Sequence, residues 1–132
     1  MDLSKKLQVP NGKAVFLVDP PRDFGASLRI SRKQEGAAVL AFAANSRKLR
    51  ANARAAIETA KADGISWIAY PKAGQLDSDL NRDLLQKRMR GFGIEGVRLV
   101  SIDEVWSAMR FRPSRSAETQ RRSLKGGKRP SV

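Results

Sequence analysis

Neither cysteine nor histidine occurs in the 132 residues. The first absence removes disulfide frameworks, thiolate metal sites and thiol nucleophiles. The second removes the imidazole base of most hydrolase triads and the commonest metal ligand. Long apolar runs are missing too. No stretch approaches the roughly 18 residues a membrane-spanning helix needs, and Met1 to Pro10 hold no run of signal-peptide length. These absences lead to the expectation of a soluble, cytoplasmic protein without membrane contact, metal or cofactor. Negative charge is scarce as well: 13 Asp and Glu stand against 26 Lys and Arg, a formal charge of +13.

What is present is enough for one domain. With 41% hydrophobic residues a chain of this length can bury a modest single core, and two compact domains would not fit. The excess of positive charge is spread unevenly. After Pro113, Arg115, Arg121, Arg122, Lys125, Lys128 and Arg129 face only Glu118, while the only large aliphatic residues are Leu124 and Val132. Ordering that backbone would gain too little burial to offset its entropy. The organisation expected is therefore an ordered domain over 1–112 and a disordered basic tail over 113–132. Such a tail is attracted to polyanions by counterion release.

Along the body, Ala14 to Val18 forms a branched apolar run between Asn11-Gly12 and Asp19-Pro20-Pro21 and reads as a buried strand. Residues 22–35 carry no clear period. Ala37 to Ala43 is continuously apolar, the pattern of a central strand covered on both faces. Ser46 then reads as the N-cap of one long helix whose Leu49, Ala53, Ala56, Ile57 and Ala60 share a face. Gly64 stops it, and Ile65 to Tyr70 is the next strand, closed by Pro71. A second helix is expected after Ser78, with Leu80, Leu84, Leu85 and Met89 inward and Gly91 and Gly93 at its end. Val97 to Ile102 and Val105 to Phe111 are joined by so short a link that they must form an antiparallel hairpin. The alternation predicts an α/β fold: a small Rossmann-like, mostly parallel sheet of about five strands, helices on both faces, and the antiparallel hairpin at the C-terminal edge.

Several apparent motifs fail on context. Gly91-Phe92-Gly93-Ile94-Glu95-Gly96 matches the dinucleotide fingerprint letter by letter, but a helix precedes it and a strand follows, the reverse of what pyrophosphate binding requires. Asp77-Ser78-Asp79-Leu80-Asn81 imitates a calcium loop, yet Arg82 takes the glycine position and Arg88 the bidentate glutamate position. Gly126-Gly127-Lys128 lacks the remainder of a P-loop. No GxSxG elbow presents a serine. Asp79 and Asp83 stand at i, i+4 and are better explained by capping and ion pairing than by a catalytic carboxylate pair. Arg47, Arg50, Arg54 and Lys61 form one basic stripe on the first long helix, either its solvated side or a track for phosphates.

Trp67-Ile68-Ala69-Tyr70-Pro71-Lys72, then Asp79-Leu80-Asn81-Arg82-Asp83, then Ile102 to Arg112 (IDEVWSAMRFR) resemble a bacterial family, domain of unknown function 3052. Ser4 to Leu7 and Asn11 to Val15 resemble its N-terminus, so the likeness spans about residues 4–113. It draws attention to Lys72, Asp79, Arg82, Asp83, Asp103, Trp106 and Arg110 as ligand-binding candidates. Lys72 follows a strand's carboxyl end, where ligands of open α/β sheets bind, and Trp106 and Arg110 share one side of a strand. The order of elements is also similar to the C-terminal half of Rossmann-type methyltransferases. In those a glycine-rich loop follows the first strand; here that loop is Asp19 to Phe24, with two prolines and no glycine.

The function expected is a non-enzymatic binding or interaction module, monomeric or homodimeric. One alternative is a reduced methyltransferase-like or nucleotide-binding protein. Another is non-specific nucleic-acid binding through Arg47, Arg50, Arg54, Lys61 and the tail residues Arg121 and Arg122.

Overall fold

The computed structural model describes residues 3–22, 24 and 28–115. Its elements are α1 (Leu3–Lys6), β1 (Val15–Val18), β2 (Ile30–Ser31), β3 (Ala38–Phe42), α2 (Ser46–Asn52), α3 (Arg54–Lys61), β4 (Ser66–Pro71), α4 (Arg82–Arg90), β5 (Ile94–Ser101) and β6 (Trp106–Pro113). The six strands form one mixed sheet in the order β2-β1-β3-β4-β6-β5. β2, β1, β3 and β4 are mutually parallel, whereas β6 runs antiparallel to both β4 and β5. β5 therefore points the same way as β4, with β6 inserted between them. No helix among the described residues is long and apolar enough to cross a membrane.

The apolar runs decide which strands are central. All five residues of β3 and all six of β4 are buried. Val39, Leu40 and Ile68 are fully buried, each contributing on the order of 1.5–3 kcal/mol of hydrophobic transfer. On one face Val39, Ala41, Ile68, Tyr70, Met109 and Phe111 pack against Leu49, Ala56, Ala60, Leu85 and Met89 of the helices. The alanines of α3 let that helix lie close to the sheet. On the other face Leu40, Phe42, Trp67, Trp106 and Ala108 meet Leu7, Val9 and Leu28, with Phe24 against them. Phe42 stacks edge-on between Phe24 and Trp106, at centroid distances of 4.7 and 5.1 Å.

Several expectations need correction. A sixth strand, β2, pairs with β1 at the sheet edge within the stretch that carries no period. Only two residues long, it offers no pattern to read. The single long helix is divided at Ala53 into α2 and α3, and Asn45 rather than Ser46 caps it, its side-chain oxygen accepting from the Lys48 N–H at 2.8 Å. The second long helix starts at Arg82, capped by Asn81, so Leu80 is buried but outside it. Helices are not balanced between the faces: α2, α3 and α4 share one, and the other carries only the single turn α1 and irregular chain among the described residues. The hairpin begins at Ile94, and its second strand is interior; the edge strand is β5. β6 also reaches Pro113, one residue past the expected domain boundary. Arg121, Arg122 and most of the expected tail lie outside the described residues.

The β5 edge is blunted from both sides. Gln86 of α4 accepts from the Gly96 N–H at 2.6 Å and donates to its carbonyl at 3.5 Å, and the Lys6 ammonium donates to the Ser101 carbonyl at 2.8 Å. Two stations of an otherwise open ladder are thus occupied by side chains of the same molecule.

Candidate functional site

The parallel strands end at one rim, where the carboxyl ends of β1, β3, β4 and β5 place Asp19, Asn45, Lys72 and Ser101. The chain leaves β1 towards β2 and leaves β3 in the opposite direction towards β4, so the crevice between β1 and β3 is the topological switch point. Here it is bridged. The Asn52 amide donates to the Asp19 carboxylate and to the Phe42 carbonyl, each at 2.9 Å, and Lys48 lies 3.7 Å from the same carboxylate. A carboxylate at this point opposes a phosphate rather than inviting one.

The start of α2 is likewise committed. Asp79 accepts from the Ser46 N–H at 2.8 Å and from the Ser46 hydroxyl, while the Lys48 N–H goes to Asn45. An internal carboxylate thus sits where an anion would be held by the helix terminus. The Ser46 hydroxyl and then its N–H hold the Asp79 carboxyl below its ordinary value of 3.8, against slight desolvation. Because the folded value is depressed, the stabilisation is present above pH 3.8 and is lost as pH falls below it through the folded value. Asp79→Asn should therefore be less stable than the parent at neutral pH in urea titrations, the gap closing as the pH is lowered beneath 3.8. A gap independent of pH would contradict this role.

The remaining candidates do not form one site. Lys72 borders a hollow of about 400 Å³ with Arg82, Asp83 and Tyr70, and Arg82 contacts Asp83 at 3.5 Å. Burial raises the Tyr70 hydroxyl pKa, Arg82 lowers it and Asp83 raises it. Lys72 also borders a second, shallow hollow with Asp103, where its ammonium donates to the Ser101 hydroxyl at 2.7 Å. Asp103 holds the hairpin turn, one oxygen accepting the N–H groups of Val105 and Trp106 at 2.8 Å. Trp106 is core. Arg110 shares its face of β6 but pairs with Trp67, at the opposite end of β4 from Lys72.

The basic stripe has a different neighbour from the one its spacing implies. Arg47, Arg50, Arg54 and Lys61 are all exposed, and Arg54 pairs with Glu58 at 3.2 Å. Arg50 and Arg54 form one bank of a groove of about 490 Å³ between α2–α3 and α4. Leu49, Ala53, Ile57 and Met89 line its floor, Arg88 stands on the far bank, and Phe92, 52% exposed, closes one side. Arg88 and Phe92 are not among the site candidates that the sequence offers. Their only signal there is an arginine on the outer face of the second helix and an aromatic residue between two glycines.

Among the described residues no group of three or more Asp and Glu is arranged to hold a metal ion. Comparisons with family models, with curated proteins and with solved structures return no match.

Proposed function

We propose that the chain is a cytoplasmic, non-enzymatic interaction module of Rossmann-like build, and that it docks an acidic amphipathic helix of a partner protein in the groove between α2–α3 and α4. The observation that carries this reading is the groove's composition: an apolar floor of Leu49, Ala53, Ile57 and Met89 between banks that carry Arg50, Arg54 and Arg88 against one carboxylate, Glu58. A helix laid in a groove offers apolar anchors at i, i+3, i+4 and i+7 and flanking side chains to either bank. Glutamates on those flanks would meet Arg50, Arg54 and Arg88, whose guanidinium groups suit carboxylates. The bridged crevice at Asp19 and the occupied α2 terminus support this over the nucleotide or methyl-donor alternative. The apolar floor supports it over simple polyanion binding, which needs charge alone.

The probe is a fluorescent peptide of about five helical turns with leucine at the anchor spacing and glutamate elsewhere. Its anisotropy should rise saturably with the protein, and the affinity should fall roughly tenfold or more when Arg50→Glu and Arg88→Glu are combined. Phe92→Ser, at an exposed position, should weaken it too. Equal affinity for a scrambled peptide of the same composition or for mixed single-stranded DNA would overturn the reading, as would indifference to the charge reversal.

A further inference from the structure

On the sheet face away from the groove, two arginines occupy directly opposed positions of the β5–β6 ladder. The register pairs Arg98 of β5 with Arg110 of β6, just past a bulge at Val97. Directly opposed like charges on one face of a ladder are unfavourable, so the pair requires a physical reason. The Arg98 side chain has no hydrogen-bonding or ion-pair partner among the described residues. Arg110 donates from one terminal nitrogen to the side-chain oxygen of Gln8 at 2.6 Å, a neutral acceptor, and its Nε is buried without any partner. The nearby carboxylate, Asp63, is taken by Arg112, through both oxygens at 3.1 and 3.3 Å. Burial, then Arg112 and Arg98, lower the Arg110 pKa, with Asp63 opposing. The positive charge there is under-compensated.

We propose that Arg98 and Arg110 form a phosphate-binding clamp in which the ligand takes the place of the Gln8 amide oxygen. A tetrahedral oxyanion bridging the two would supply Arg110 with the charged acceptor it lacks and would turn the repulsion into a shared attraction. The Gln8 side chain, on an exposed residue with φ of 57°, is the displaceable stand-in. Trp67, the β4 partner of Arg110, is fully buried and gives the clamp a rigid flank. Phosphate chemistry could arrive free or as part of a nucleic-acid backbone.

The test follows the arginine Nε–H resonances of the full chain by nuclear magnetic resonance during titration with inorganic phosphate. The Arg110 signal should move saturably, while sodium chloride of matched ionic strength should leave it in place. Arg98→Gln should raise the half-saturation roughly fivefold or more. Because that change removes a like-charge opposition at an exposed position, it should also raise the melting temperature without phosphate. Gln8→Gly, suited to the positive φ, should bind phosphate at least as tightly as the parent. A second arm adds oligothymidylate. Displacement of phosphate at lower concentration identifies a nucleic-acid backbone as the source, and failure to displace it identifies a small phosphate; both keep the clamp. An unmoved Arg110 signal, or equal half-saturation in Arg98→Gln, overturns it.

Discussion

Trp67→Ala is expected to lose about 3–5 kcal/mol of stability, the range for emptying the site of a large buried aromatic ring. For a domain whose total is on the order of 5–15 kcal/mol, that is about a fifth of the whole or more. Trp67 is 1% exposed at the centre of the thinner side of the sheet, and its indole N–H donates to the Leu7 carbonyl at 2.9 Å. One side chain therefore both fills the core and fastens the N-terminal segment across it. Trp67→Phe separates the two roles. Most of the ring remains, but the Leu7 carbonyl is left without its donor, at a cost of about 1–3 kcal/mol. Urea denaturation followed by the fluorescence of Trp106 measures both variants. A Trp67→Phe protein as stable as the parent would show that the indole bond contributes nothing.

The second large effect is expected at Gly96. A Cβ there would stand 2.3 Å from the Met109 sulfur and 2.8 Å from its Cγ, with the Gln86 amide nitrogen at 3.0 Å. Met109 is itself buried at 3% exposure, so a Cβ at Gly96 must push its side chain out of its packed position. Gly96→Ala should therefore destabilise by about 1–3 kcal/mol through overpacking and should loosen the Gln86 contacts that seal the edge strand. Met109→Ala supplies the missing room. The double variant should lose distinctly less than the two single losses added together. Strict additivity in urea titrations would contradict the steric account.

Gly96 also shows how a sequence pattern can be real and still mislead. The three glycines of the apparent fingerprint each have a local cause. Gly91 caps α4 with ordinary helical angles, Gly93 takes φ of +85° to leave the helix, and Gly96 lets β6 and α4 close on β5. Their spacing reflects a helix–strand junction. The context argument, helix first and strand second, reads correctly from sequence because hydrophobic periodicity over Leu84 to Met89 is strong.

Periodicity explains the other successes. The continuous runs over 37–43 and 65–70 are legible as central strands because burial on both faces leaves no polar position. The hairpin is legible because four residues cannot carry a crossover. β2 is not, since it has two residues and one exposed hydrophobic, Ile30. The break at Ala53 is equally silent, because its angles stay helical and its neighbours keep the same apolar face.

The candidate site was harder to read, for a geometric reason. The groove is made by α2–α3 and α4, which are distant in sequence, so Arg50 and Arg88 look like separate solvated charges until the fold brings the two banks together. The opposition of Arg98 and Arg110, by contrast, was within reach. The turn held by Asp103 sets the hairpin register, and counting outward from Ile102 and Trp106 pairs the two arginines. The bulge does not disturb that count, because it lies beyond them.

The insertion of β6 between β4 and β5 bears on biosynthesis. β4 is made well before β6, the strand that pairs with its free edge, so that edge and the apolar flanks of Trp67 and Ile68 stay uncovered until residues 106–113 have emerged. A chain cut short at the Asp103 turn would keep that side of the sheet open.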